Sequence, residues 1–210
     1  VPDNTKDIEL EHFKVKNDSK KMIVVAGDTH FPFANQTVLD KFYKFIEDNK
    51  SKIGFVIQVG DLYDMYAASK FPRSQNFYKP QEEMELGRKQ AQEFWDKINK
   101  LVPNAKKFQL KGNHDNRPYL RTMESLPFLE GAIREHFDKI FIFDGVTTIQ
   151  DTRQELIIGD TMFHHGYRSQ LGQHRDYTLQ NFCCGHSHTG GVVFKKLQGK
   201  IICELNAGYM

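Results

Sequence analysis

The chain has 210 residues, of which 39% are hydrophobic and 27% are charged, and its formal net charge is +2. This length suits one sizeable hydrophobic core in a single domain, and the small net charge gives no indication of a nucleic-acid or membrane partner. No apolar run approaches the ~20 residues of a membrane span and no secretory signal is visible. The three cysteines do not suggest a disulfide framework, so we expect a cytoplasmic protein.

The predicted elements begin after residues 1–20, a polar arm or edge segment that precedes one domain over residues 21–210. Short apolar, β-branched runs predict three buried strands, and apolar stripes at helical spacing predict two helices between them. In chain order these are a strand at 22–26, a helix at 36–49, a strand at 53–59, a helix at 82–101 and a strand at 108–110. This order favours right-handed crossovers and parallel strand pairing.

The second half of the chain has a different pattern. From residues 139–143 onward, short strand-like runs are separated by Gly, Asp and Asn, which predicts a half richer in strands and hairpins. Residues 69–81, between the strand at 53–59 and the helix at 82–101, hold two prolines without periodicity, and they predict an exposed loop.

Side chains that bind metals follow the ends of five predicted strands. In open α/β sheets ligands bind beyond the carboxyl ends of the strands, so these side chains are expected to meet. The donors are Asp28, His30, Asp61, Asn113, one of His164 or His165, His186 and His188. Seven donors exceed the needs of one ion, whereas two ions that share one carboxylate would each receive four.

The spacing of the histidines in Gly185-His186-Ser187-His188 supports the same interpretation. In extended backbone, residues i and i+2 face the same side, so His186 and His188 are expected to project together. An isolated H-x-H is more often a surface pair, and the metal interpretation therefore depends on all five strand ends. Carboxylate, amide and imidazole donors without thiolate suit Mn, Fe or Zn.

The motifs D-x-H, G-D-x-x-D, G-N-H-D, H-G and G-H-x-H occur in this order between Asp28 and His188. They resemble the calcineurin-like metallophosphoesterases, in particular the compact phosphoesterases of phages and bacteria. Asn206-Ala207-Gly208 is similar to the N-P-G segment of many members. The resemblance implies an α/β fold, a four-layer αββα sandwich of two mixed sheets flanked by helices. It also implies metal-dependent hydrolysis of phosphate mono- or diesters.

The resemblance also assigns the metal ligands. The first ion would be held by Asp28, His30 and His188, the second by Asn113, His186 and one histidine of the 164–165 pair, and both by Asp61. The family places this histidine directly before glycine, which favours His165 over His164. The two divalent ions are expected to be Mn, with Zn, Fe or Ni as alternatives.

By the same resemblance, a hydroxide that bridges the ions would attack phosphorus, and His114 would protonate the leaving oxygen while Asp64 holds the other ring nitrogen. Asp115 is expected to cap the following segment. Lys111, Arg117 and Arg168 are candidates to hold phosphate oxygens, although each is by default a solvated surface charge.

The substrate is expected to be a phosphorylated small molecule or a nucleotide. Lys111 and Asp115 stand where protein Ser/Thr phosphatases carry arginine and glutamate, which counts against that class. A nuclease acting on DNA or RNA is the main alternative, and a non-catalytic binding scaffold of the same fold is a third. The scaffold role would not need His114. The oligomeric state is left open by the sequence.

Overall fold

The computed structural model describes residues 13–17, 20–70 and 78–210. Residues 1–12 and 18–19 of the predicted arm, and residues 71–77 of the predicted loop, lie outside the described residues. The α-helices are α1 (Gln36–Asn49), α2 (Pro80–Leu101), α3 (Arg117–Ser125), α4 (Glu130–Lys139) and α5 (Gln173–Thr178). Single 3-10 turns lie at Tyr66–Ala68 and Pro127–Leu129.

The strands form two sheets. They are β1 (Phe13–Val15), β2 (Met22–Ala26), β3 (Ile53–Gln58), β4 (Lys106–Leu110), β5 (Thr147–Ile149), β6 (Leu156–Ile158), β7 (Thr161–Phe163), β8 (Asn181–Cys184), β9 (Gly191–Leu197) and β10 (Lys200–Asn206). One sheet has the order β2-β3-β4-β5 and is parallel throughout. The other has the order β1-β6-β7-β8-β10-β9 and mixes both directions.

Apolar periodicity explains how the layers stack. α1 places Leu39, Tyr43 and Ile46 on one face, and this face joins the α2 residues Phe94 and Trp95 in a core on one side of the four-stranded sheet. The opposite side of that sheet packs against the six-stranded sheet in a second core. α5 lies against β8 and β10 on the outer face of the six-stranded sheet. The predicted αββα sandwich is therefore confirmed, except that one of its sheets is parallel and not mixed.

The elements of the first half agree closely with those predicted from sequence. β2 and α1 have the predicted bounds, and β3, α2 and β4 differ from them by only one or two residues at their ends. The strand predicted at 139–143 is wrong, because this segment completes α4 and then turns. Phe141 and Phe143 are buried and Ile142 is 63% exposed, so burial alternates as it does in a strand. The backbone of this segment, however, forms no strand.

Within the described residues, none of the helices has both the length and the apolar composition needed to cross a membrane. The described part of the N-terminal arm, β1, pairs in parallel with β6 at the edge of the six-stranded sheet. The boundary of the domain at residue 21 stays a prediction.

Candidate metal centre

The carboxyl ends of five strands from both sheets converge on one site. β2, β3 and β4 lead into Asp28, Asp61 and Asn113, while β7 and β8 lead into His165 and His186. Parallel strands present their carboxyl ends at a common edge, which explains why residues distant in sequence meet here. The structure brings all seven predicted donors together, in two groups that share Asp61.

The first group consists of Asp28, His30, Asp61 and His188. Ligand atoms of these four side chains all lie within 4.8 Å of one another. The Nε2 atoms of His30 and His188 are 3.0 Å apart. Asp28 and Asp61 are almost fully buried, so their carboxylates are withdrawn from water.

The second group consists of Asp61, Asn113, His165 and His186. Asn113 Oδ1 lies 3.0 Å from His165 Nε2 and 2.9 Å from His186 Nδ1. His165 Nε2 is also 3.2 Å from Asp61 Oδ2. The two histidines of the H-x-H motif therefore point to different groups, His186 to Asn113 and His188 to His30.

The expectation that His186 and His188 lie in extended backbone is wrong, and the other i, i+2 pair of donors, Asp28 and His30, is not extended either. The backbone φ is positive at both members of each pair, 36° and 49° at Asp28 and His30, and 69° and 57° at His186 and His188. Such left-handed conformations are uncommon outside glycine and concentrate at functional sites. The residues reach a common site because the chain coils tightly after each strand.

Two glycines leave the space that the buried carboxylates occupy. A Cβ on Gly112 would overlap Asp61 Oδ1, and a Cβ on Gly185 would overlap Asp28 Oδ2. Backbone amides then hold the same oxygens. The His114 N–H donates to Asp61 Oδ1 at 2.8 Å, and the His186 N–H donates to both oxygens of Asp28 at 3.0 Å.

The adjacent histidines of the fifth strand end have different surroundings. His164 Nδ1 accepts from the Gly166 N–H at 2.9 Å, and its Nε2 lies 2.8 Å from the Thr152 carbonyl oxygen. Both of its ring nitrogens are thus engaged outside the donor groups. His165 Nδ1 faces the Val59 carbonyl at 3.1 Å, which leaves Nε2 for the site. This geometry agrees with the choice of His165 over His164.

The electrostatics of the site favour a bound cation. Among the described residues, no Lys or Arg forms an ion pair with Asp28 or Asp61, so only histidines balance these buried carboxylates. Burial raises the pKa of Asp28 to about 6, and the Asp61 carboxylate acts in the same direction. Burial opposes a charge on His165, yet Asp61 and Asp28 raise its pKa to about 9. A protonated His165 thus places positive charge beside the two buried carboxylates. A divalent cation bound there would supply the same compensating charge, so the donor set fits such an ion.

His114 and Asp64 lie beside the first group. His114 Nδ1 is 2.8 Å from Asp64 Oδ1 and 3.0 Å from the Asp64 carbonyl oxygen. Burial alone would raise the pKa of Asp64, but the hydrogen bond from His114 and the His30 ring, whose Nδ1 lies 3.3 Å from Asp64 Oδ1, lower it below its usual range, which keeps the carboxylate charged. Asp64 therefore fixes the ring of His114 and leaves Nε2 as the nitrogen that faces the cleft.

Arg117 completes this cluster. Its Nη1 donates to the Asp64 carbonyl oxygen at 3.0 Å, and its Nη2 lies 2.5 Å from His114 Nε2. Because a guanidinium only donates, His114 Nε2 is the acceptor in this arrangement. The sequence-based candidate Arg117 is therefore at the site, in direct contact with the predicted acid.

The other two predicted phosphate-binding cations are placed differently. Lys111 is buried, with its ammonium 2.6 Å from Asp138 Oδ1 and 4.2 Å from the centre of the Phe141 ring. Its charge is thus neutralised away from the donor groups. Arg168 is exposed, and its guanidinium lies 5.4 Å from the Tyr167 ring centre.

Asp115 does not cap the following helix, contrary to expectation. The residue at the start of α3 is Asn116, and the fully buried Asp115 carboxylate instead accepts from three backbone amides. Its oxygens accept from Leu62 at 3.2 Å, Tyr63 at 2.9 Å and Gly112 at 2.8 Å. Asp115 thus ties the loop after β3 to the loop after β4, a role that its position in the motif did not indicate.

A second buried cluster supports the turn after His165. His174 Nε2 accepts from the Tyr167 and Arg168 N–H groups at 3.1 Å, and His174 Nδ1 is 3.2 Å from Glu204 Oε1. Sequence reasoning missed this pair. The one available signal was Glu204, a carboxylate within the apolar run of β10.

A family model described as calcineurin-like phosphoesterase matches residues 21–190. Comparison with curated protein sequences gives no match. The matched range contains all seven donors as well as Asp64 and His114. Together with the donor clusters it supports a metal-dependent phosphoesterase, and the chain therefore belongs to the calcineurin-like phosphoesterase family.

Proposed function

We propose that this protein is a dinuclear metallophosphoesterase that hydrolyses phosphate mono- or diesters. The observation that carries the proposal is the sharing of Asp61 between two groups of donors. Asp28, His30 and His188 would complete the first metal site. Asn113, His165 and His186 would complete the second.

The donor types support divalent ions of the Mn, Zn, Fe or Ni kind, with Mn as our first choice. When bound, two such ions would activate water near neutral pH and stabilise charge on the phosphoryl oxygens. The chain itself contributes the fixed positions of the donors. Its backbone amides hold the carboxylates, and the Val59 carbonyl orients His165.

His114 is proposed as the general acid for the leaving oxygen. Asp64 holds its Nδ1–H, so Nε2 would deliver the proton. Arg117 now contacts Nε2, and a bound substrate would need to displace its guanidinium from this position. We propose that Arg117 then binds a phosphate oxygen, to which it can donate two parallel hydrogen bonds. Arg168 stays a candidate for the same role, whereas the pairing of Lys111 with Asp138 speaks against Lys111.

No observation favours the nuclease alternative. A nuclease binds a polyanion and benefits from unpaired cations along its groove. Beside the site, however, Lys70 and Arg121 both pair with Glu124, and Arg153 pairs with Asp151. Among the cations that the structure describes beside the site, these three therefore add little free positive charge for a phosphate backbone.

The test is His114→Asn, with activity and metal content measured on the same preparation. We expect both ions to be retained and kcat to fall by about 10²–10⁴, the usual contribution of a positioned proton donor. The loss should be larger for an alkyl phosphate than for a nitrophenyl phosphate, whose leaving group needs less protonation.

His136→Asn is the matched control, because His136 is exposed on α4 and away from the donor groups. It should change neither rate nor metal content. Undiminished rates for both leaving groups in His114→Asn would show that His114 is not the acid. Absence of hydrolysis by the metal-loaded wild-type protein on any phosphate ester would favour the binding scaffold.

A further inference from the structure

One side of the metal centre opens into a cleft with aromatic walls. The cleft has a volume of about 350 Å³, within the ~300–1,000 Å³ that is usual for ligand pockets. It is lined by His30, His114 and His188 from the site, together with Phe33, Asn35 and Tyr209. Because His114 lies in its wall, this cleft is where the leaving group of a substrate would extend.

Tyr209 is held in an exposed position by its neighbours. The Gly208 N–H donates to Asn206 Oδ1 at 3.0 Å, and the Met210 N–H donates to the Asp28 carbonyl at 3.1 Å. Met210 itself is buried in the core. Tyr209 between them is 61% exposed, and its ring centre lies 5.5 Å from that of His188. The ring is thus fixed beside a donor histidine with much of its surface open to a ligand.

Phe33 contributes a second aromatic surface to the same cleft. It follows His30 in a turn closed by a hydrogen bond from the Phe33 N–H to the His30 carbonyl at 2.8 Å. Phe33 is 37% exposed, and its ring packs at 6.1 Å, centre to centre, on the Tyr78 ring. Two partly exposed aromatic side chains therefore line one cleft at the position of the leaving group.

Asn35 adds a polar group to these walls. Its Oδ1 accepts from the Thr37 and Val38 N–H groups and caps α1. The oxygen is thus committed, and the exposed amide NH₂ is left to donate to a ligand. Flat apolar surfaces with one donor suit a heteroaromatic ring that carries acceptor atoms.

From this combination, and on the basis of the function proposed above, we infer that the substrate is a nucleotide whose base stacks in this cleft. Phe33 and Tyr209 would be specificity-determining residues, and the nucleoside would be the leaving group. In the reaction the phosphorus–oxygen bond to the nucleoside breaks and an oxygen from water takes its place. The nucleoside oxygen leaves with a proton from His114, and a proton from water restores the acid.

The test compares two esters that share the same sugar and leaving oxygen, adenosine 5′-monophosphate and ribose 5-phosphate. In the metal-loaded wild-type protein, kcat/KM should be about 5- to 100-fold higher for the adenosine ester, the range that base–aromatic stacking supplies. Tyr209→Ala should bring the ratio of the two values close to one, and Phe33→Ala should lower it. Tyr209→Phe keeps the ring and should keep the ratio. Tyr177→Ala removes an exposed tyrosine of α5 as the control and should also keep it.

A binding measurement separates this inference from the proposed function. Saturation-transfer NMR of adenosine and of ribose requires no turnover. Binding of adenosine that is lost in Tyr209→Ala supports the cleft even if neither ester is hydrolysed, and in that case the proposed function fails alone. Equal kcat/KM for the two esters, or adenosine binding no stronger than ribose binding, would overturn the inference. Hydrolysis of both esters would in that case still support the proposed function.

Discussion

Two small residues determine where the buried carboxylates of the metal centre lie. Gly112 and Gly185 face Asp61 and Asp28 so closely that any Cβ would overlap a carboxylate oxygen. Neither glycine needs a positive φ, so space and not backbone conformation is the reason for glycine at both positions. The glycines of the G-N-H-D and G-H-x-H motifs are therefore part of the donor geometry.

We predict that Gly112→Ala displaces Asp61 and weakens binding of both ions, because Asp61 belongs to both donor groups. Overpacking of a buried site lowers the free energy of unfolding by ~1–3 kcal/mol. Calorimetric titration with Mn or Zn and urea unfolding measure the two effects.

Gly131→Ala is the control, since a Cβ on this α4 residue meets no atom within 4 Å. It should leave metal affinity unchanged and be neutral or slightly stabilising in the helix. Full metal affinity in Gly112→Ala would contradict the prediction, because Asp61 would then bind the ions despite the added Cβ.

At the scale of elements, His164 joins the end of β7 to two neighbouring segments. Its neutral ring accepts from the Gly166 N–H and faces the Thr152 carbonyl, so protonation would break the first of these bonds. Burial is the main cause that lowers the pKa of His164 to about 4, against an ordinary value of 6.5. The folded protein therefore holds this ring neutral where the unfolded chain protonates it.

The predicted consequence is a loss of stability in acid. Between pH 6.5 and pH 4, His164 binds a proton in the unfolded state but not in the folded state, so the free energy of unfolding falls as the pH falls. The contribution of His164 is fully present above pH 6.5, and its loss amounts to roughly 3 kcal/mol at most. In urea unfolding of metal-free protein, the wild type should lose stability relative to His164→Gln as the pH falls from 7 to 4.5.

His136→Gln, on an exposed surface, should run parallel to the wild type over the same pH range. A constant difference between wild type and His164→Gln would contradict the depressed pKa. Metal titration of His164→Gln and His165→Gln addresses the ligand choice, because His164→Gln should keep the metal affinity that His165→Gln loses.

The elements whose bounds were predicted well from the sequence are those in which the spacing of apolar residues matches a buried face. β2 and α1 are such cases, since their apolar residues enter a core directly. The helices α3, α4 and α5 went unrecognised. α3 and α4 bury none of their side chains, and α5 has six residues, so no apolar stripe long enough to detect was present.

The identity of the donors could be predicted because strand ends meet at one edge, but their geometry could not. The left-handed φ at His186 and His188 results from tertiary packing, in which the His186 N–H binds Asp28. Likewise, Asp115 accepts from backbone amides of a loop more than fifty residues earlier in the chain. Such contacts between distant segments have no local signature in the sequence.

At the scale of the whole molecule, the proposed metal centre joins the two sheets. Asp28, Asp61 and Asn113 follow strands of the parallel sheet, whereas His165 and His186 follow strands of the mixed sheet. Ions that bind donors from both sheets favour the packed arrangement over the unfolded chain. The stabilisation grows with free metal concentration relative to Kd, and reaches ~2.7 kcal/mol at a hundredfold excess.

We therefore predict close to two ions per chain after loading with Mn or Zn, together with a rise in Tm that chelation reverses. Elemental analysis and thermal unfolding on one preparation measure both. Asp61→Asn should lower both quantities, whereas Asp96→Asn, an exposed change on α2, should alter neither. A single tightly held ion, with no second on titration, would contradict the dinuclear proposal.

The wide spacing of the donors along the chain also bears on the order of events during synthesis. The first donor is residue 28 and the last is residue 188, so the parallel sheet and both of its large helices are complete many residues before His186 is made. A nascent chain of 180 residues lacks one donor of each group. Because a domain generally folds as a unit, and one core of this domain joins residues of both sheets, the proposed ions would find their complete donor sets only after His188 has been made, as a late step in maturation.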